Sequence, residues 1–233
     1  MDKNSNKYTL IYSVVMVVIV ATLLTVVAIG LQPAQKKNIE LEKKSNILAS
    51  LNISSTPQTV ESLYDEHIIE SFVIDVEGEK IENVEAFLIN LKDELRKAPN
   101  EQQWPVYQGK AKDGSSKIIF TLYGKGLWGP IWGYIALNED LSSVYGIYFD
   151  HKSETPGLGA EISTSKFQDQ FKNKSIFNSN GEFVSIDVIK TGAGDNINAV
   201  DAISGGTITS RGVSDMLKTC LVSYLKFIEK NKK

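Results

Sequence analysis

The run DGSSKIIFTLYGKGLWGPIWGYIALNEDLSSVYGIYFD, residues 113–150, decides the fold. Asp113-Gly114 is a turn dipeptide, and Lys117 to Tyr123 behind it is rich in β-branched and aromatic residues. Leu127 to Leu137 continues in the same composition and reads as the second strand of a hairpin. Asn138 to Asp140 turns the chain into a third strand, Val144 to Phe149. Three strands with short connections make an antiparallel meander.

Working outward, Ile68 to Asp75 reads as a strand, and Asn83 to Lys97 as an amphipathic helix with Val84, Phe87, Leu88, Leu91 and Leu95 on one side. Residues 163–173 suggest a short helix, Glu182 to Lys190 a further strand, and Val213 to Ile228 a final amphipathic helix. Strands and helices mix without βαβ alternation, so the expected class is α+β, a mixed, mainly antiparallel sheet with packed helices.

Ahead of this domain, Tyr8 to Leu31 contains no charged side chain. Those residues span roughly 36 Å as a helix at about 1.5 Å per residue, against a hydrocarbon core of roughly 30 Å. In lipid such a segment must be helical to satisfy its own backbone. It is longer than the apolar region of a cleaved signal peptide, so a retained anchor is expected. The expected organisation is a tail over 1–7, a transmembrane helix over 8–31 closed by Pro33, a polar stalk over 32–59 and a globular domain over 60–233. Lys3 and Lys7 before the span, against Lys36, Lys37, Lys43 and Lys44 after it, lean toward a cytoplasmic C-terminal side.

The chain has 233 residues and a net charge of −3, which gives no footprint for nucleic acid. Its single cysteine, Cys220, excludes an intrachain disulfide and a cysteine-ligated iron–sulfur cluster. Two histidines, His67 and His151, far apart in sequence, suggest no metal site. Redox chemistry, if present, must come from an organic cofactor or a partner.

Residues 191–214, TGAGDNINAVDAISGGTITSRGVS, are the least core-like part of the domain. Gly205 and Gly206 let the backbone approach a ligand, and Ser204, Thr207, Thr209 and Ser210 crowd hydroxyls beside them. The following helix start would favour a phosphate. The same residue types are also common helix caps. The stretch is neither a P-loop nor a GxSxG elbow.

Asp201-Ala-Ile-Ser-Gly-Gly-Thr207 resembles the flavinylation motif of the FMN-binding domains in ion-pumping respiratory complexes. That family's pattern is an aspartate, two residues, then Ser/Thr-Gly-Ala-Thr, and its last threonine carries FMN through a phosphoester made by a flavin transferase. The resemblance implies Thr207 as that residue, with Gly206 standing where alanine is usual. Glu154-Thr-Pro-Gly-Leu-Gly159 is similar to a family segment beside the flavin. Gly124-Lys-Gly-Leu-Trp128 with Gly129-Pro-Ile-Trp132 resembles the C subunits of Na⁺-translocating NADH:quinone reductases, and the G subunits of RNF complexes are paralogous. The resemblance covers nearly the whole chain. It implies covalent FMN contacted by Asp201, Ser204, Gly205, Gly206, Thr209, Trp128, Glu154, Thr155, Leu158, Gly159 and Lys190, with no general acid or base and no metal. Trp132 reads as a core aromatic, and Lys190 equally as an exposed strand-end lysine. The implied partners are the other subunits of a membrane quinone reductase, the transferase and membrane lipid. The implied location is the bacterial inner membrane, with the domain periplasmic, against the lysine lean. A non-redox module holding a phosphorylated ligand, or an assembly factor whose loop is only a helix cap, are the alternatives.

Overall fold

The computed structural model describes residues 5–190 and 192–232; Lys3, most of the expected tail, and Thr191 lie outside them. The chain divides into two compact units, Met1–Lys43 and Lys44–Lys233.

The first unit is helical. Helix α1, Asn6–Ser50, contains a window apolar enough and long enough to cross a membrane. It runs through Pro33 without a break, which corrects the expectation that Pro33 closes the span. Proline removes one backbone bond, but the residues behind it are rich in lysine, glutamate, leucine and alanine, all strong helix formers. The expected stalk is therefore continuous helix as far as Ser50.

The second unit begins earlier than residue 60. Ile47, Leu48, Leu51 and Ile53 are buried, because the last turn of α1 packs on the domain. Asn52 donates to the carbonyl of Tyr145 at 3.4 Å, and Leu51 lies against Gly109. Helix α2, Val60–His67, follows and leads into strand β1, Ile68–Ile74. Strands β2 (Lys80–Ile81), β3 (Trp104–Lys110), β4 (Ser116–Lys125), β5 (Pro130–Leu137) and β6 (Val144–His151) complete an antiparallel sheet of order β2-β1-β3-β4-β5-β6. The mixed helix and antiparallel sheet agree with the expected class.

Helix 83–97 does not form as one piece. A 3₁₀ turn at Ala86–Leu88 precedes a short helix α3, Leu91–Glu94, and Leu88 is exposed. The cause is Asn90, whose side chain accepts the Lys92 N–H at 3.1 Å and starts a new helix inside the apolar pattern. Strand β3 is not visible in the sequence, since Pro105 within it demotes the segment. The expected helix over 163–173 is α4, Ser165–Gln168, between two 3₁₀ turns. The expected strand over 182–190 shrinks to β7, Asp187–Ile189, paired in parallel with β8, Ala199–Asp201.

Helix α5, Thr207–Asn231, starts six residues before the expected Val213. It crosses one face of the sheet, and Val213, Met216, Leu217, Cys220, Leu221, Tyr224 and Ile228 join Trp104, Phe120 and Leu122 in the core. The Tyr224 ring packs 4.4 Å from that of Phe120, and its hydroxyl donates to the carbonyl of Pro105 at 3.0 Å. Gly212 lets the helix close on the sheet: a Cβ there would land on the carbonyl oxygen of Lys125. This packing fixes the first turn of α5 beside the 126–129 loop.

Candidate functional site

The site is built where α5 begins. Gly205, at φ +76°, reverses the chain after β8, a conformation that favours glycine. Gly206 then serves as N-cap with no side-chain hydrogen bond, leaving the first amides of a long helix uncapped. Thr207 is the first helical residue; it is exposed, and its hydroxyl has no partner among the described residues.

The neighbouring hydroxyls are occupied. Ser210 is buried and its Oγ accepts the Ile203 N–H at 3.1 Å, pinning the loop to the helix. Thr209 is 1% exposed and donates to Glu154 Oε2 at 2.6 Å. Ser204 stays exposed on the turn.

The Glu154–Gly159 segment closes over this turn. Gly157, at φ +75°, and N–H groups of Leu158 and Ala160 on the Thr155 carbonyl, both 3.1 Å, make it tight. Leu158 Cδ2 would sit 2.6 Å from a Cβ on Gly205, so the two glycine-bearing loops pack directly on each other. Thr155 is exposed beside them. Glu154 is only 5% exposed, and its Oε1 accepts the Trp128 N–H at 2.8 Å. Trp128 itself is 67% exposed, and Leu127, Leu158 and Ile208 are exposed as well.

On the other flank, Thr207 lines a cleft of about 680 Å³ with Lys190, Asp201, Ser204, Gly205 and Arg211. The side chain of Asp201 accepts the Ala193 N–H at 2.9 Å and so ties Ala193 to β8. Ser214 Oγ accepts the Val188 N–H at 2.7 Å and ties the opposite wall to α5.

The three sequence blocks therefore meet in space. Asp201, Ser204, Gly205, Thr207 and Lys190 line the cleft, whereas Trp128, Thr155 and Leu158 are exposed on the Glu154 flank of the helix start. Glu154 and Thr209 face each other in the interior, and Gly159 makes room for them, so these three act within the wall. Arg211 escaped the sequence reading. It lies four residues after Thr207, one helical turn on, and makes no ion pair among the described residues.

A flavin phosphate fits the free hydroxyl and the uncapped helix amides, and Lys190 and Arg211 lie in the same cleft, which also holds the carboxylates of Asp187, Asp201 and Asp215. Residues 126–222 match the FMN-binding domain family. Fold and site together define a flavin-binding domain behind a long apolar helix. The chain is 30% identical to the C subunit of the Na(+)-translocating NADH-quinone reductase of Haemophilus ducreyi, over 93% of this chain and 90% of that one. It is 31% identical to the same protein of Vibrio anguillarum, over 91% and 89% of the two chains. The crystal structure of its counterpart from Parabacteroides distasonis superposes with a TM-score of 0.76 at 43% identity, covering 85% of this chain and 96% of that one. The chain belongs to the family of Na(+)-translocating NADH-quinone reductase C subunits, components of a redox complex, and this decides between the C- and G-subunit resemblances.

Proposed function

We propose that this chain is an anchored electron carrier that holds FMN through a phosphoester on Thr207 inside a sodium-translocating NADH:quinone reductase. One observation carries the reading: Thr207 presents a free hydroxyl on an uncapped helix start, whereas Thr209 and Ser210 are buried and bonded. Attachment forms one Oγ–P bond and breaks the P–O bond between the FMN phosphate and the leaving group of an activated donor. The hydroxyl proton leaves with the help of a separate transferase.

Lys190 and Arg211 face the phosphate in a cleft they share with Asp187, Asp201 and Asp215, so the first-turn amides of α5, which donate to it, carry more of its binding than net charge does. Trp128, Leu158 and Ile208 offer apolar surface for the ring. When bound, FMN supplies the electron chemistry, and the protein supplies position and electrostatics. The apolar part of α1 anchors the chain in lipid, with the domain on the periplasmic side, and sodium passes through partner subunits.

The test is a denaturing gel of chain produced with the transferase. Flavin fluorescence should stay with the band in the parent and in Ser204→Ala and Thr209→Ala, and vanish in Thr207→Ala. Flavin that washes off in denaturant, or survives Thr207→Ala, overturns the assignment and favours a reversible binding module.

A further inference from the structure

We propose that Glu154 is a positioning residue which never touches the flavin: from the interior it fixes where Trp128 stands relative to Thr207, and so sets the surroundings of a ring attached there. This rests on the flavin reading above. The carboxylate is buried, and no lysine, arginine or histidine pairs with it among the described residues. A buried carboxylate with no counter-charge is expensive unless its oxygens are hydrogen-bonded. Here each oxygen has one donor, and the donors come from the two sides of the site. Oε1 takes the backbone N–H of Trp128 at 2.8 Å, and Oε2 takes the hydroxyl of Thr209 at 2.6 Å. Charge-assisted bonds of this length are stronger and more directional than neutral ones.

The surrounding backbone is shaped to admit the group. A Cβ on Gly126 would lie 2.5 Å from Oε1, and one on Gly159 would lie 2.5 Å from the Thr209 hydroxyl and fall on Oε2. Glycine at both positions therefore makes room for the carboxylate. Its own backbone is held as well, since the Glu154 N–H donates to His151 Nδ1 at 3.1 Å at the end of β6. One rigid side chain thus joins the end of the sheet, the loop carrying the exposed indole and the first turn of α5. Thr209 is two residues from the attachment threonine, so a shift of the Glu154–Thr209 bond moves Thr207 and Trp128 relative to each other.

The test uses the full-length chain made with the transferase, in four variants: Glu154→Ala, Glu154→Gln, Thr209→Val and Thr209→Ser. Peptide mass spectrometry should find FMN on Thr207 in all of them. In Glu154→Ala and Thr209→Val the visible circular dichroism of the flavin should be lost or shifted, and tryptophan emission quenched by the flavin in the parent should recover. Glu154→Gln can accept from Trp128 and donate to Thr209, and Thr209→Ser keeps the hydroxyl, so both should keep the parent signals. Adding Thr209→Val to Trp128→Phe should change the flavin signal no further. Glu154→Ala that fails to fold leaves Thr209→Val to decide. Parent-like flavin dichroism and quenching in folded Thr209→Val would overturn the proposal and leave only a structural role, read as a lower melting temperature. A parent chain without FMN on Thr207 would instead refute the flavin reading itself.

Discussion

Thr207 and Thr209 carry the same hydroxyl two positions apart, and the helix turns them to opposite sides. At about 100° per residue they stand about 200° apart, which sends one to the cleft and the other onto Glu154. Sequence alone named both as flavin contacts, because hydroxyl content is legible but direction is not until the helix start is known. The same gap hid Arg211, whose i+4 relation to Thr207 means nothing unless position 207 is already helical. Thr209→Ala should leave Glu154 Oε2 without its donor, at a cost of about 1–3 kcal/mol, read as a lower urea midpoint with unchanged slope. Gly206 has its own test. A Cβ there would meet Ile203 Cγ2 at 3.0 Å and the Leu158 carbonyl carbon at 3.3 Å, so the alanine usual in the motif needs a small shift of the Glu154–Gly159 loop. Gly206→Ala should keep the flavin on Thr207 and lose roughly 0.5–1 kcal/mol, as replacing a good N-cap residue by alanine does.

Helix α5 is the element on which the site depends. Its apolar half is legible from residue 213 onward, whereas residues 207–212, TITSRG, are poor helix formers apart from Arg211. Tertiary contact makes them helical: Thr209, Ser210 and Gly212 are all buried against neighbouring loops. The strands of the 113–150 run are legible for the opposite reason, since β-branched and aromatic composition and turn residues agree with the sheet they form. Two predictions belong to α5. Gly212→Ala improves intrinsic propensity by about 1 kcal/mol, yet its Cβ meets the Lys125 carbonyl, a backbone atom that cannot swing aside. The clash should win, lowering stability by about 1–3 kcal/mol in a denaturant titration. Cys220 sits fully buried on the same helix, and burial pushes its thiol up to about 12. A raised thiol value means less thiolate at every pH below it. Native chain should therefore resist iodoacetamide at pH 8 and react promptly once denatured; rapid labelling of folded chain would show that α5 opens locally.

At the scale of the whole chain, the question is where the domain begins. Composition places the boundary at residue 60, since 32–59 looks polar and Ile39, Ile47, Leu48 and Leu51 form only a sparse stripe. Folded, Ile39 stays exposed, but Ile47, Leu48 and Leu51 are 0% exposed and Ile53 is 3% exposed. They lie on the face of the sheet opposite α5, where Leu51 contacts Gly109 and the Ser50 carbonyl approaches Gly146. Burying such a side chain contributes about 1.5–3 kcal/mol, so the four together contribute on the order of 6–12 kcal/mol as an upper bound. That is comparable to the entire stability of an ordinary domain, about 5–15 kcal/mol. Two truncations separate the boundaries. A chain starting at Lys44 should be soluble without detergent, unfold cooperatively and still accept flavin on Thr207. A chain starting at Val60 exposes one face of β3 and β6 and should aggregate or unfold without a cooperative transition. Equal stability of the two would mean that the last turn of α1 is a passive extension of the anchor; the buried leucines and isoleucines argue that it is the first element of the flavin domain.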